Sequence, residues 1–471
     1  MLKPKKLIAK YVFFDYIAAM TAWSAFYFYR KIVIELPLFG ELHTEINMEF
    51  FLGTLLLPVL WVLFYYLTGQ YQNPYYRSRL KELGHTISTT IVGSTIIFFA
   101  LILDDYIGTY KDYYSLYLIL ILFHFAATYI PRLTITATTI KKIRSGRIGF
   151  NTVFIGGGEK ALNFYKKNKE GIRSSGLIVK GFVAIYENST YQAAEVLTQL
   201  GYLKDIHKII AENDIHEVII ASEAKEQEQV EAIIHHIEFI DVKIKLIPDL
   251  FDMFTGKYLT PGISKNPLLE ISHNVLPAWQ ENTKRFTDII GSLICMIILS
   301  PVYLFLAFGV KQSSKGPILY NQERIGKNGK PFKIYKFRSM FIGAEKNGPM
   351  LSSKNDNRIT KFGLFMRKTR LDEIPQFFNV FIGNMSLVGP RPERQYYIEQ
   401  IVQRTPQYKR LLKVRPGITS WGQVKYGYAE NVDQMVERLK YDLIYIENMS
   451  IYFDLKIIIY TIKTVLEGSG K

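Results

Sequence analysis

Cysteine is almost absent from this sequence. Of its 471 residues only Cys295 carries a thiol, and it lies in an apolar run. A single cysteine excludes intrachain disulfides and metal sites built from several thiolates. Acidic residues are also in deficit, because 42 Asp and Glu stand against 58 Lys and Arg, a formal net charge of +16. Such a balance indicates an anionic partner: a nucleic acid, a membrane surface or a polyphosphate substrate.

Signatures of nucleic-acid-binding modules are missing as well. The basic residues flank apolar segments and match no motif of such modules. We therefore expect no nucleic-acid partner. A cleavable leader is not expected either, because the first apolar run is long and no small-residue cleavage site precedes the next one.

Apolar runs, by contrast, are long and frequent in the first third of the chain. Four of them, at about 11–29, 50–67, 86–103 and 114–130, approach the roughly 20 residues that a helix needs to cross a bilayer. An aromatic fraction of 14% is typical of membrane-interface belts. The alternative, four buried helices of a soluble bundle, leaves the charges of the connecting loops without an explanation.

The charges of these loops predict an orientation. The segment before the first run, the loop with Arg77, Arg79 and Lys81, and the exit segment KKIRSGR are cationic, whereas the first and third loops are acidic. Cationic loops stay in the cytosol, so both ends of the helices are predicted to face it. We expect four transmembrane helices and a cytosolic exit segment in residues 1–148.

From residue 149 onward, short strands alternate with helix-compatible stretches. Such alternation predicts a parallel α/β sheet, and we expect a Rossmann-like domain over residues 149–270. Gly156, Gly158 and Ala161 fit a relaxed G-x-G-x-x-A pattern, which would place an anion at a helix N-terminus. A tight strand-to-helix turn uses glycine in the same way, so both interpretations stay open.

A fifth apolar run lies between Lys284 and Lys311 and contains Ser300 and Pro301 near its middle. Proline removes a backbone donor and clashes with the preceding turn, which kinks a helix. Because cations flank both ends of the run, we interpret residues from about 285 to 310 as a re-entrant helix that returns to the cytosolic side. A plain span with a proline bend is the alternative.

The stretch MRKTRLDEIPQFFNVFIGNMSLVGPRPER, residues 366–394, is the richest in chemistry. Two adjacent carboxylates, Asp372 and Glu373, follow a basic cluster that includes Arg367, and Arg391 comes later in a rigid GPRP turn. Carboxylates bind Mg2+, and arginine forks bind phosphate oxygens. This combination predicts phosphoryl transfer. The structural alternative is a solvated acidic pair at a helix end.

A basic strip with interleaved aromatic residues precedes this stretch, in FKIYKFRSM. Strand alternation places Lys336 and Arg338 on one side. We interpret that side as a wall of the phosphate-binding site, with a solvated cationic face near anionic lipid as the alternative. The last part of the chain mixes aromatic, branched and lysine residues at helical spacing, which predicts helices with one face on the membrane interface.

Several ordered motifs give the chain a resemblance to the bacterial sugar transferase family, the polyprenyl-phosphate phosphoglycosyl transferases with a monotopic catalytic core. They are the Ser-Pro break, FKIYKFRSM, RLDEIPQFFNV, NMSLVGPRP and VRPGITSWGQV. The resemblance implies a mostly helical catalytic domain at 280–471, preceded by a four-helix transmembrane bundle and a Rossmann-like, CoA-binding-type domain. It also implies a location in the bacterial cytoplasmic membrane, with the catalytic domain on the cytosolic side.

In this family a UDP-sugar donates a hexose-1-phosphate to undecaprenyl phosphate and UMP is released, with Mg2+ as the cofactor. Asp372 matches the position of the family nucleophile, and Glu373 matches its partner, which helps to hold Mg2+. Lys336, Arg367 and Arg391 match basic positions around the phosphates. The segment KYGYAEN is similar to that of hexose-type members, so glucose or galactose is the expected sugar.

Two other functions stay open. A membrane-bound, NAD-dependent nucleotide-sugar dehydratase or epimerase also joins apolar helices to a Rossmann-like domain. The residue pair that it needs, Tyr165 and Lys169 here, lies too close to the glycine turn. A non-enzymatic subunit of a polysaccharide assembly complex would not need the intact carboxylates and arginines. The oligomeric state is open, with a homodimer as one option.

Overall fold

A computed structural model describes residues 4–36, 48–101, 110–187, 191–221, 242–247, 268–271, 275–344, 356–427 and 429–466, together with Ile233, Ile237 and Ile240. The chain divides into two compact units, Met1–His273 and Asn274–Lys471. The expected division into three domains stays a prediction, because the first two lie in one unit. Most of the acidic loop residues and most of the Pro- and Gly-containing segment before residue 275 lie outside the described residues.

Four long helices open the first unit. Helix α1 packs against α2 and α4, and α3 packs against α4. Three of the four, α2, α3 and α4, are long and apolar enough to cross a membrane. Helix α1 contains Asp15 and several tyrosines and is not among them. The bounds are Pro4–Tyr29 for α1, Met48–Leu67 for α2, Arg79–Leu101 for α3 and Tyr110–Arg144 for α4.

Charged side chains are buried between these helices, and they are paired. Arg132 donates from Nε to Asp15 Oδ1 at 2.7 Å and from Nη2 to Asp15 Oδ2 at 2.8 Å. Tyr71 donates its hydroxyl to the same carboxylate at 2.9 Å. Arg77 donates from Nη1 to Glu82 Oε2 at 3.0 Å. Ionisable groups among apolar helices are tolerated when they pair with one another, as they do here.

A six-stranded sheet forms the rest of the first unit, in the order β3-β2-β1-β4-β5-β6. The first five strands are parallel, and β6 is antiparallel to β5. The predicted parallel α/β sheet is therefore confirmed. The strands are β1 Phe150–Ile155, β2 Leu177–Ala184, β3 Gln199–Tyr202, β4 Glu217–Ile220, β5 Lys243–Leu246 and β6 Leu269–Ile271; the helices are α5 Glu159–Lys167, α6 Lys169–Ser174 and α7 Ile206–Glu212.

The turn after β1 contains glycines because neighbouring atoms leave no room for a side chain there. Gly156 has φ +93°, and a side chain there would lie 2.9 Å from the carbonyl oxygen of Ala221. A Cβ on Gly157 would lie 2.5 Å from the ring of Phe182. Close packing thus accounts for these glycines.

The second unit begins with two apolar helices, α8 and α9, which are bent by 62° at their junction. Pro301 occupies the first turn of α9, where its missing N–H leaves no helical hydrogen bond unmade. The bend separates the two helices as the Ser-Pro break predicts. The pair fits either a broken span or a re-entrant loop, so the re-entrant helix stays a prediction. Helix α8 is Ala278–Ile298 and α9 is Ser300–Ser313.

The remainder of the second unit combines short helices with two small sheets. Strands β7 and β8 form an antiparallel hairpin, and β9 pairs with β10 in parallel. Its apolar core joins α12, α14 and α15. The strands are β7 Leu319–Ile325, β8 Pro331–Phe337, β9 Ser386–Val388 and β10 Gly417–Thr419; the helices are α10 Lys361–Lys368, α11 Gln376–Ile382, α12 Gln395–Arg404, α13 Trp421–Lys425, α14 Val432–Glu447 and α15 Ile451–Leu466.

Candidate active site

The two adjacent carboxylates lie on a short 3-10 turn, Leu371–Glu373, between α10 and α11. Thr360 starts α10 because its hydroxyl accepts a hydrogen bond from the amide of Gly363 at 2.9 Å. Helix α10 ends before Arg370, which has φ +55° in the left-handed region. Non-glycine residues in this region are uncommon and cluster at functional sites. The strained residue directly precedes the turn that carries the acids.

Strand β8 brings a lysine against this turn. Asn379 of α11 accepts from the amide of Tyr335 at 3.0 Å and donates to the carbonyl of Lys333 at 2.8 Å. The asparagine therefore fastens α11 along β8. As a result, Lys336 Nζ lies 2.6 Å from Glu373 Oε1. The predicted basic strip and the predicted acidic pair, far apart in sequence, are in contact.

Glu373 is surrounded by cations. Besides Lys336, Arg391 Nη2 lies 3.5 Å from its Oε1, and Arg370 Nη1 lies 3.5 Å from its Oε2. Burial opposes ionisation of this carboxyl, but the charges of Lys336, Arg391 and Arg370 outweigh burial and hold its pKa well below the ordinary value. Glu373 is therefore an anion at any physiological pH.

Asp372 has the opposite environment. Its side chain is buried, with 7% of the residue exposed, yet it forms no ion pair within the part of the chain that the structure describes. Burial, followed by the charge of Glu373, raises its pKa to about 6, although Lys336, Arg367 and Arg370 pull the other way. A desolvated carboxylate without a counterion is a stronger nucleophile than a solvated or paired one.

Asp372 lines a cavity of about 600 Å³, which we call the polar cavity. Cations dominate its described wall, because eight Lys and Arg side chains face two carboxylates there. Every predicted phosphate-binding residue is among them. The cations are Arg324, Lys336, Arg338, Arg358, Arg367, Arg391, Arg394 and Arg438, and the acids are Asp372 and Glu393. A cavity with this charge excess suits a ligand that carries several phosphate charges.

The predicted phosphate ligands differ in how they are held. Arg367 donates from Nε to the hydroxyl of Ser339 at 3.0 Å. Arg338 is only 6% exposed, and its Nη2 donates to the carbonyl oxygen of Ser314, at the end of α9, at 2.6 Å. Its Nε and Nη1 are buried without a hydrogen-bond partner among the described residues. Arg338 therefore ties the polar cavity to the end of the apolar helix pair.

Backbone packing positions Arg391. Gly389 donates its amide to the carbonyl of Thr419 at 3.0 Å, and Gly417 donates to Pro390 at 2.9 Å. A Cβ on Gly389 would lie 2.4 Å from the carbonyl oxygen of Arg415, so only glycine allows the two segments to approach. The motifs NMSLVGPRP and VRPGITSWGQV thus form one paired structure, which carries Arg391 to the cavity.

A buried triad at the cavity wall was not predicted from the sequence. Arg324 of β7 and Arg438 of α14 lie 3.2 and 2.6 Å from the two oxygens of Glu393. The triad fixes the segment that follows the GPRP turn. One signal was present in the sequence: Met435, Arg438 and Asp442 recur at helical spacing on the buried face of α14. A charged residue on such a face implies a buried partner.

A second depression, which we call the apolar groove, has a volume of about 860 Å³. It runs along α9 and shares Leu319 and Phe337 with the wall of the polar cavity. Pro375, three residues after Asp372, also lines it. Its described wall consists of Met296, Ser300, Tyr303, Leu304, Ala307, Ile318, Leu319, Tyr335, Phe337, Pro375 and Phe378. Asp372 therefore lies where a charged cavity adjoins an apolar one.

Two family models match the sequence of this chain. A family model described as bacterial sugar transferase matches residues 279–468, and one described as CoA-binding domain matches residues 66–248. A putative undecaprenyl-phosphate N-acetylgalactosaminyl 1-phosphate transferase of Bacillus subtilis is 46% identical over 129 residues, which cover 27% of this chain and 72% of that protein. The chain belongs to the bacterial sugar transferase family.

Two longer relatives extend the comparison. A UDP-glucose:undecaprenyl-phosphate glucose-1-phosphate transferase of Klebsiella pneumoniae is 36% identical over 289 residues, 61% of this chain, and the match spans 62% of that protein's length. An undecaprenyl-phosphate galactose phosphotransferase of Salmonella typhimurium is 27% identical over 493 residues, 98% of this chain and 96% of that protein. The similarity thus extends over the first unit as well as the second.

Proposed function

We propose that this protein transfers a hexose-1-phosphate from a UDP-sugar to undecaprenyl phosphate and releases UMP. The proposal rests on the position of Asp372, a buried carboxylate that forms no ion pair with the described residues. It lies in a cationic cavity, beside an apolar groove. The named activities of the relatives belong to the same class of reaction. Glucose or galactose is the proposed sugar, because the segment KYGYAEN resembles that of hexose-type members. The relatives from Klebsiella pneumoniae and Salmonella typhimurium are named for these sugars, whereas the relative from Bacillus subtilis is named for N-acetylgalactosamine.

The first step forms a covalent intermediate. An oxygen of Asp372 attacks the phosphorus that bears the sugar, the phosphoanhydride bond to UMP breaks, and an aspartyl-phosphosugar remains. Charge grows on the leaving UMP phosphate as that bond breaks. The guanidinium groups of Arg367 and Arg391 line the cavity and offset this charge. Arg391 also contacts Glu373, which therefore orients it.

The second step regenerates the enzyme. A phosphate oxygen of undecaprenyl phosphate attacks the same phosphorus, the acyl phosphate bond breaks, and Asp372 returns as a carboxylate. The apolar groove offers a surface to the polyprenyl chain of this acceptor, while the polar cavity offers cations to its phosphate. Splitting one difficult transfer into two substitutions at phosphorus is the general advantage of a covalent nucleophile.

The donor set fits Mg2+ only together with substrate. The described residues contain no cluster of three acidic, histidine or cysteine side chains that could hold a metal. Mg2+ in phosphoryl-transfer sites is commonly bound by one or two carboxylates and by substrate phosphates. Glu373 would share its carboxylate between Lys336 and the ion, with Asp372 nearby. When bound, Mg2+ would neutralise charge on the phosphates.

The arrangement of the apolar helices supports a monotopic catalytic unit. Lys284 lies near the start of α8 and Lys311 in the last turn of α9, and the 62° bend lies between them. A re-entrant path would keep both cations and the polar cavity on the cytosolic side, where UDP-sugars are made. We propose this path, with the four helices of the first unit crossing the bacterial inner membrane. Labelling of cysteines introduced at positions 315 and 275 from one side only would support it.

A UMP-release assay tests the function directly. The full chain, purified in detergent with Mg2+, is incubated with undecaprenyl phosphate and a panel of UDP-sugars. UMP release that depends on the lipid phosphate and ceases in Asp372→Asn is the expected result. Purified protein that carries bound NAD would support the dehydratase alternative. No release with any donor would favour the non-enzymatic assembly subunit.

A further inference from the structure

Helix α15 has one face that is fastened to the second unit. Asp454 accepts from Lys284 Nζ of α8 at 2.5 Å and from the Tyr445 hydroxyl at 2.6 Å. The hydroxyls of Thr461 and Thr419 lie 2.7 Å apart. These contacts fix the rotation of α15 about its axis, and they hold the helix beside the start of the apolar pair.

The other face of α15 is apolar and exposed. Four side chains form a stripe at helical spacing, with 55% to 77% of each exposed: Tyr452, Leu455, Ile459 and Ile462. A helix with this division of faces, held at the base of a membrane-inserted helix pair, suits the interface of a bilayer. We call these four residues the exposed stripe.

Two lysines border the exposed stripe, and both lie over aromatic rings. Lys425 Nζ is 4.5 Å from the ring centroid of Tyr460 and 5.0 Å from that of Trp421. Lys456 Nζ is 5.9 Å from the ring centroid of Trp421. Neither lysine forms an ion pair with a described carboxylate, whereas Lys284 and Lys336 of the same unit do.

This arrangement holds two ammonium groups next to an apolar surface. Trp421 and Tyr460 contact each other at 5.8 Å between ring centroids, so the two lysines share one aromatic platform. The platform restrains the lysines and leaves N–H donors for another acceptor. If the stripe lies among acyl chains, the ammonium groups lie at the level of the headgroups, where the acceptors are phosphodiesters.

We propose that Lys425 and Lys456, on the platform of Trp421 and Tyr460, form a binding site for an acidic phospholipid headgroup of the leaflet in which α15 lies. The occupant is a lipid with net negative charge, such as phosphatidylglycerol. A zwitterionic lipid offers the same phosphate but adds a cation that two unpaired lysines repel. The site is separate from the polar cavity and does not depend on the proposed reaction.

Quenching by brominated lipids tests the site through Trp421. The full chain is reconstituted in nanodiscs of phosphatidylcholine with a minor fraction of phosphatidylglycerol, and bromine is placed on the acyl chains of one lipid or the other. The contribution of Trp421 is the difference between the wild-type chain and Trp421→Phe. Per mole of brominated lipid, we expect the acidic lipid to quench Trp421 about two- to fivefold more strongly.

The variant Lys425→Gln/Lys456→Gln should bring this ratio to about 1, while Trp421 stays accessible to both brominated lipids because the stripe is intact. The matched control is Lys409→Gln/Lys440→Gln, which removes the same charge from exposed positions of the second unit and should keep the ratio. Equal quenching by the two lipids in the wild-type chain would overturn the proposal, and so would a preference that survives in the double variant. Protection of Trp421 from both lipids would also overturn it, since protein would then cover the stripe.

Discussion

Two buried clusters of charge in this molecule are arranged in opposite ways. Among the helices of the first unit, Asp15 is paired with Arg132, and Glu82 is paired with Arg77. In the second unit, Glu373 is paired while its neighbour Asp372 forms no ion pair with the residues that the structure describes. The wall of the polar cavity carries an excess of cations. Pairing in the first unit spares each buried charge the cost of lacking a partner. Unbalanced charge lowers stability and gives a site its ligand.

The largest effect should follow removal of the unpaired carboxylate. Asp372→Asn deletes the nucleophile, and UMP release should fall by at least about 10³-fold. The unfolding midpoint should not fall, because the ionised Asp372 destabilises the native state at neutral pH. Its native pKa lies above the unfolded value, so its contribution to stability is complete below the unfolded pKa and is lost as pH rises through about 6.

Thermal unfolding and UMP release of the same Asp372→Asn preparation measure both effects. Residual turnover near the wild-type rate would remove Asp372 from the role of nucleophile. A midpoint several degrees lower would contradict the comparison between the two clusters.

Removing a charge from the paired cluster of the first unit should lower the stability of the fold. Arg132→Leu leaves Asp15 without its cation among apolar helices. It also removes the Arg132 Nη1 group that lies 3.6 Å from Glu82 Oε1, although Arg77 still contacts Glu82. We expect a loss of about 3–5 kcal/mol in the free energy of unfolding. Denaturant unfolding in mixed micelles measures the loss. The control is Lys208→Gln, whose exposed pair with Glu212 should contribute less than about 0.5 kcal/mol. A tolerated Arg132→Leu would show that the network is dispensable for stability.

A smaller effect is expected at the paired acid of the site. Glu373→Gln removes the anion that Lys336 and Arg391 contact, and it also removes a proposed Mg2+ ligand. UMP release should fall by roughly 10- to 100-fold, with a higher Mg2+ concentration needed for half-maximal rate. Titration of Mg2+ at saturating donor measures this shift. An unchanged titration curve would refute the proposed role of Glu373 as a Mg2+ ligand. It would leave the proposed role of Asp372 as the nucleophile unaffected.

The smallest change comes from pH alone. Because burial raises the pKa of Asp372 to about 6, the nucleophilic anion is depleted below that pH. We expect kcat/KM to fall about tenfold for each unit below pH 6 and to be flat from about pH 7 to 8. Glu373 does not titrate in this range, because its neighbours hold its pKa well below the ordinary value. Circular dichroism at each pH controls for unfolding; a flat profile down to pH 5 would contradict the environment assigned to Asp372.

Sequence reasoning succeeded where the pattern is local. The alternation of strands and helices indicated the parallel sheet, and the Ser300-Pro301 pair marked the bend between α8 and α9. Both follow from backbone chemistry within a few residues. Of the four predicted membrane-spanning helices, α2, α3 and α4 are long and apolar enough to cross a membrane, whereas the crossing of α1 stays a prediction. Asp15 is compatible with the helix only because Arg132, 117 residues later, lies against it.

At the site, too, sequence reasoning predicted local features and missed contacts between distant segments. The sequence alone showed residue types that suit phosphoryl transfer. It also showed that Asp372 and Glu373 lie beside basic residues. It did not show the contacts of Arg338 with the end of α9 or the triad around Glu393, because each joins segments far apart in the chain. Strand alternation correctly placed Lys336 and Arg338 on one wall, but it did not show that the two are held by different partners.

By itself the sequence determined which segments are apolar, where the sheet and the helical break lie, and which residues could perform the chemistry. These properties depend on composition and on spacing along the chain. Only the tertiary structure decided that Glu373 contacts three cations while Asp372 forms no ion pair with the described residues. Burial and pairing depend on what surrounds a side chain in space, and two adjacent acids in a sequence carry no information about which of them will be left without a partner.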